Sequence, residues 1–218
     1  MEANLIFESL SGNTKDLWVS RQVRKIGHTP TAIEFLRDYV STNTPVIFQG
    51  LINDWQATSR WDLAYLAEHM RESEVSVDVT PNGLGDSIVD VDGEKVFVKP
   101  EERKMTFRQF INMLSEPHPE GVPYLSHQND SFREEFSPLM GDIAPSIPFA
   151  AEAFGNEPDA VNLWIGDERA VSSMHKDHYE NMYSVVKGKK VFTLLPPSDF
   201  PFLYETSCRA GRYRYSPE

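Results

Sequence analysis

The apolar pattern of this chain changes period near residue 73, and that change limits the folds open to it. Upstream the period is helical. Leu17, Trp18, Val23 and Ile26 predict a helix over 13–26, and Ile33, Phe35, Leu36, Tyr39 and Val40 predict a second. Thr29-Pro30 offers this second helix a cap and a first-turn proline. Pro45–Phe48 reads as a short buried strand, Trp55 and Trp61 anchor a loop, and 62–72 reads as a helix. Downstream, Val75, Val77 and Val79 alternate with Ser76, Asp78 and Thr80, the two-residue period of a strand. Ile88–Val91 and Lys95–Val98 flank Asp92-Gly93, a hairpin signal. Asp90-x-Asp92-Gly93 also begins like a calcium loop, but the other ligands of such a loop are missing, so a plain turn is expected.

Thr106 caps a predicted helix carrying Phe107, Phe110, Ile111 and Leu114. Residues 122–125 read as a strand, 131–154 as a Pro-broken region of short helices, and 161–166, 179–186 and 190–195 as three strands. Helices followed mostly by hairpin-linked strands give an α+β chain, mainly β: a sheet, sandwich or barrel with helices outside. A helical region with one strand is expected over 1–72 and the β portion over 73–218, as one domain overall. Neither GxGxxG nor a P-loop is present, which disfavours nucleotide-binding α/β folds.

Charge narrows the partners. The 33 acidic against 21 basic residues leave a net charge of −12, unsuited to nucleic acid or to an anionic membrane surface. The single cysteine, Cys208, permits no intrachain disulfide and fits a reducing compartment, cytoplasm or nucleus. It has no neighbouring base to make it a nucleophile. The acidic N-terminus does not read as a signal peptide. Asn129-Asp130-Ser131 is read as a chance sequon, and the alternating Arg and Tyr of 212–215 as a loop.

The chemistry concentrates in Ser172-Ser-Met-His175-Lys-Asp177-His178-Tyr-Glu-Asn181. On an extended chain, His175 and Asp177 share one face about 6.5 Å apart, so imidazole and carboxylate can converge on one ion. Neutral nitrogen with hard oxygen suits Fe(II), Mn(II) or Zn(II). Tyr179, Asn181, Tyr183 and Val185 continue that face. A two-residue turn at Gly188-Lys189 sets Lys190 opposite Lys187 on the same side. Like charges so paired are unfavourable unless an anion lies against them. A metal-bound dicarboxylate would supply it; the alternative is a solvated lysine patch at a hairpin tip.

The run AVNLWIGDERAVSSMHKDHYENMYSVVKGKKVFTLLPP resembles the central motif of the JmjC-domain, cupin-like 2-oxoglutarate oxygenases, in particular the small JmjC-only hydroxylases. NTPVIFQGLINDWQATSRW and EVSVDVTPNGLGD resemble the same group, so the likeness covers most of 28–200. It implies a double-stranded β-helix, or jelly roll. It implies His175 and Asp177 as iron ligands, Lys190 as partner of the distal carboxylate of 2-oxoglutarate, and Tyr124, Ser172 and Asn181 as hydrogen-bonding residues for that cosubstrate. The activity implied is hydroxylation of a protein side chain, most often lysine, with Fe(II) as cofactor. The partner implied is a protein or peptide; acids such as Asp86, Asp90, Glu101 and Glu102 would suit a basic one, the alternative being that they are ordinary surface acids. A second copy of the chain is a further candidate partner.

The family pattern also has a histidine ligand on a later strand, and no histidine follows His178. His28, His69, His118 and His127 all lie upstream. The expectation is a jelly roll incomplete at its C-terminus, with the apolar face of 179–195 uncovered and no turnover by the chain as it stands. A non-catalytic interaction module on the same scaffold is the alternative. A zinc hydrolase is disfavoured, because neither HExxH nor GxSxG occurs.

Overall fold

The computed structural model describes residues 2–17, 20, 22–116, 120–128 and 130–215. Helix α1 spans Glu2–Leu17, and Arg24–Ile26 forms strand β1. The helix expected over 13–26 is therefore corrected; of its apolar residues, Trp18 lies outside the described residues. The reason is tertiary: β1 finds a parallel partner in β2 (Val46–Phe48), with Arg24 opposite Val46 and Ile26 opposite Phe48. That ladder satisfies backbone groups and buries Ile26, which outweighs a weak helical period.

Helix α2 covers Ala32–Phe35 and continues as a π turn over Leu36–Val40. Its cap is Thr31, not Thr29. The Thr31 amide donates to the Glu34 carboxylate at 2.8 Å, and the Glu34 amide donates back to Thr31 Oγ1 at 3.2 Å. This reciprocal capping box sits two residues beyond the expected start. The π turn rotates the apolar stripe, so Phe35 and Tyr39 are buried while Ile33 is exposed. Short α3 (Ala57–Arg60) precedes α4 (Leu63–Met70), which Asp62 caps through the Tyr65 amide at 2.8 Å.

Strand β3 (Glu74–Thr80) is followed by β4 (Leu84–Gly85) and by the hairpin of β5 (Ser87–Val91) and β6 (Glu94–Lys99). Asp92 and Gly93 both take positive φ in the turn, and Asp90 Oδ1 accepts from the Gly93 amide at 2.8 Å. Asp90 thus braces a turn, as expected. Strand β7 (Glu101–Thr106) pairs antiparallel with β3, a strand its charged sequence hides. Thr106 then caps α5 (Phe107–Ser115) in a second capping box with Gln109. Strand β8 (Val122–Tyr124) adds to the other edge of β3. Next come α6 (Ser131–Glu135), a 3-10 turn at Ser137–Asp142, α7 (Pro148–Phe154), β9 (Val171–Ser172), a 3-10 segment at Pro197–Phe202 and β10 (Arg209–Arg212).

The longest ladders are antiparallel: β3 between β7 and β8, and β5 against β6. Parallel pairs join β10 to β6 and β4 to β9. Val75, Val77 and Val79 turn the inner face of β3 onto Phe107 and Phe110 of α5 and Leu66 and Met70 of α4. Each such side chain contributes about 1.5–3 kcal/mol by leaving water. A second cluster joins Ile26, Phe35, Tyr39 and Phe149. Among the described residues no helix is long and apolar enough to cross a membrane.

Three expected strands are corrected. Residues 161–166 contribute one bridge, Ile165 to Leu125, and 179–186 and 190–195 join no ladder among the described residues. An extended segment becomes sheet only beside a partner for its N–H and C=O groups. Here the chain runs extended but unpartnered among the described residues, and apolar residues on both of its sides face water: Tyr179 is 73% exposed and Val191 78%. The expectation that this face would be uncovered holds.

Candidate active site

Two side-chain pairs form on the segments that flank β3 and β8. The first begins at Tyr124, the last residue of β8 and the ladder partner of Asp78. Just beyond it, Leu125 and Ile165 exchange backbone hydrogen bonds at 2.9 and 3.0 Å, which draws 161–166 alongside. Val161, Leu163 and Ile165 pack on the core, so the alternating Trp164 points the other way. Gly166 has no side chain because Tyr124 needs the room: a Cβ there would lie 2.6 Å from Tyr124 Cδ2.

Lys190 closes this group. Its ammonium donates to the Tyr124 hydroxyl at 3.2 Å and lies 5.3 Å from the centre of that ring. Tyr183 stacks on Trp164 at 5.6 Å and meets Phe192 edge-on at 4.9 Å. Lys190, Phe192 and Tyr183 thus share one side, as the hairpin arithmetic requires, and Gly188 at the turn has positive φ. Burial pushes both the Tyr124 and Tyr183 phenols above their ordinary pKa, while Lys190 pulls that of Tyr183 the other way. The result is a half-buried cation with neutral hydroxyls and aromatic walls, an arrangement chemically suited to an anion.

The second pair is His175 and Asp177. The chain reaches it through β9, which lies parallel to β4 with Val171 N donating to Gly83 O at 2.8 Å. Gly83 has φ +82°, and a Cβ there would fall 1.9 Å from the Arg169 carbonyl oxygen, so only glycine fits this crossing. Ser173 then hydrogen-bonds the Asp86 carbonyl and anchors the next turn. His175 Nδ1 lies 2.7 Å from the Ser173 carbonyl, which can only accept, so Nδ1 carries a proton and, in the neutral ring, Nε2 keeps its lone pair. That bare Nε2 stands 3.8 Å from Asp177 Oδ1, and Asn181 donates to Asp177 Oδ2 at 3.0 Å. Such outer hydrogen bonds orient metal ligands. Between them, Lys176 turns away to Glu205, at 3.1 Å.

The donor chemistry fits two legs of an Fe(II) site: one neutral imidazole and one carboxylate, each aimed by a second partner. Among the described residues no group of three His, Cys, Asp or Glu could hold a metal, so the remaining donor is not within this set.

The structure therefore brings together His175 with Asp177, and Lys190 with Tyr124. Asn181 lies at the Asp177 carboxylate. Ser172 lies in β9 with its side chain exposed. Sequence reasoning missed Trp164, Phe192 and Gly166. The alternation of 161–165 could have marked Trp164; the Gly166 contact with Tyr124 has no sequence signal.

Residues 32–216 match the family model described as cupin-like domain. JmjC domain-containing protein E of Dictyostelium discoideum is 42% identical over 211 residues, 92% of this chain and 60% of that protein. Lysine-specific demethylase JMJ32 of Arabidopsis thaliana is 39% identical over 95% of this chain and 61% of its own length. Bifunctional peptidase and (3S)-lysyl hydroxylase JMJD7 of Homo sapiens is 40% identical over 87% of this chain and 59% of its own. The chain thus spans about three fifths of the length of these relatives. It belongs to the cupin-like domain family, as a domain of the JmjC type.

Proposed function

We propose that this chain carries the cosubstrate-binding lysine and two of the iron ligands of an Fe(II)- and 2-oxoglutarate-dependent protein hydroxylase acting on lysine side chains. The observation that carries the reading is Lys190: a half-buried ammonium whose hydrogen bond goes to a neutral phenol rather than to a carboxylate. A dicarboxylate cosubstrate would place its distal carboxylate there, with Tyr124 donating the second hydrogen bond. His175 and Asp177 would hold the metal, Ser173 fixing the imidazole tautomer and Asn181 the carboxylate. Bound iron with 2-oxoglutarate supplies oxidation of an unactivated C–H bond by dioxygen. The residues named here bind and orient; Trp164, Tyr183 and Phe192 wall the lysine side of the site. JmjC proteins are in general of this cofactor class, and two relatives are named for action on lysine.

With two protein donors among the described residues, weak metal binding and no turnover are the expected outcome for this chain. The test titrates 2-oxoglutarate into the chain with Mn(II) present and follows tryptophan fluorescence, with Trp164→Phe separating the Trp164 signal from that of the other three tryptophans. Saturable binding that disappears in Lys190→Met is expected, with no succinate formed from 2-oxoglutarate under Fe(II) and air. Absence of saturable binding overturns the reading and favours the non-catalytic module, which the exposure of His175 and Asp177 at 60% and 53% supports.

A further inference from the structure

Across the sheet of β7, β3 and β8, one rung joins Glu102, Asp78 and Tyr124 in that order. Side chains on one rung share a face, and neighbouring strands are about 4.8 Å apart. Tyr124 in turn bonds Lys190. The proposed anion site and two carboxylates therefore stand side by side on one face of the sheet.

Asp78 is the unusual member. It is half-buried, and its hydrogen bond is to the neutral hydroxyl of Ser126 at 2.6 Å. Burial pushes its carboxyl above the ordinary range; Ser126 lowers it, Asp86 and Glu102 push it further, and His127 acts against them. The nearest bases on β7 are engaged elsewhere, Arg103 with Glu101 at 2.6 Å and Lys104 with Glu74 at 3.5 Å, while His127 pairs with Glu135 at 2.6 Å. One strand step along the same face, Ser76 is 1% exposed and its hydroxyl has no partner among the described residues. A partly buried carboxylate opposite a second acid is unfavourable for folding. A cation arriving on this face offsets both terms and leaves a charge-assisted pair. Acidity alone carries nothing in a chain with 33 acids; the rung shared with Tyr124 does.

We propose that Asp78, backed by Glu102, receives the ammonium of the substrate lysine beside the Lys190–Tyr124 pair and so selects for a cationic side chain. The assignment rests on the hydroxylase reading and names the residue that chooses its substrate. The full chain, with Mn(II) and 2-oxoglutarate, is titrated into two fluorescent nonapeptide pools that differ only in a central lysine or norleucine. The wild type is expected to prefer the lysine pool by about tenfold or more, the range of a charged hydrogen bond. Asp78→Asn brings the lysine pool down to the norleucine pool, and Asp78→Glu restores part of the preference. If Asp78→Asn does not fold, Glu102→Gln, on the exposed strand, is read instead and lowers the preference several-fold. Equal binding of both pools by the wild type, or full preference in the folded variant, overturns the assignment. Binding of 2-oxoglutarate is measured separately on the wild type, and its loss sinks the hydroxylase reading instead.

Discussion

The ammonium of Lys190 donates to the hydroxyl of Tyr124 at 3.2 Å, a contact between residues 66 positions apart in the chain. Together they make the proposed anion site, on the face that continues into Asp78. Removing the charge should therefore cost more than removing the hydroxyl. Lys190→Met is expected to weaken 2-oxoglutarate binding by about 10²-fold, and Tyr124→Phe by about tenfold, in line with charged and neutral hydrogen bonds. Calorimetric titration of the two variants checks the order; equal losses would contradict it.

Gly166 should be needed for ligand binding more than for folding. Gly166→Ala sets a Cβ 2.6 Å from Tyr124 Cδ2, so the ring must rotate away from Lys190. Overpacking of this kind costs about 1–3 kcal/mol of stability. The expected signature is a modest drop in Tm with a disproportionate loss of 2-oxoglutarate affinity.

If Asp177 holds the metal as proposed, Asn181 acts on that metal through its hydrogen bond to the Asp177 carboxylate. Asn181→Ala frees Asp177 Oδ2 and is expected to weaken Mn(II) binding about tenfold, within the usual range for such outer partners. His175→Ala removes a ligand and should abolish it. Water-proton relaxation with Mn(II) reads both without turnover.

Asp142 fastens two distant parts of the fold. It accepts from Trp61 Nε1 at 3.0 Å, Tyr65 OH at 2.8 Å and Arg60 at 3.1 Å. Burial pushes its carboxyl up, but the three donors outweigh burial and hold it below the ordinary range. Stability from a depressed carboxyl is present above the unfolded pKa and is lost as pH falls through the folded one. Asp142→Ala should cost about 3 kcal/mol near neutrality, because three donors lose their acceptor, and less in acid. Urea melts across pH measure it.

Asp78 has the opposite sign. Its raised carboxyl makes the folded chain hold a proton more tightly than the unfolded one. The stability it contributes is greatest at low pH and declines as pH rises through the raised pKa. Asp78→Asn should therefore raise the neutral-pH Tm, with a gain of about 1 kcal/mol that vanishes in acid. A variant less stable than wild type at neutral pH would remove the electrostatic account.

Local signals were legible in most places where the chain satisfies itself, the exception being the cap of α2, which is Thr31 rather than Thr29. Thr106 as a helix cap, a helix within 62–72 and Asp92-Gly93 in its turn rest on short-range hydrogen bonds or dihedral preferences, and each appears where its residues predict. The helix expected over 13–26 failed because β1 pairs with a strand about twenty residues away. Strand β7 was hidden because its charged residues lie on a half-exposed ladder that only β3 completes. The strands expected at 179–186 and 190–195 have the right alternation but no ladder partner among the described residues.

For the site, spacing alone put His175 and Asp177 on one face and Lys190 on the side of Tyr183. Those are properties of an extended chain and a tight turn, fixed over a few residues. That Lys190 would meet Tyr124, that Gly166 would yield space to its ring, and that Asp78 would stand on the same rung depends on strand register and on which segments approach. The hydrophobic faces and ladder hydrogen bonds decide those contacts across the whole fold, and no local pattern encodes them.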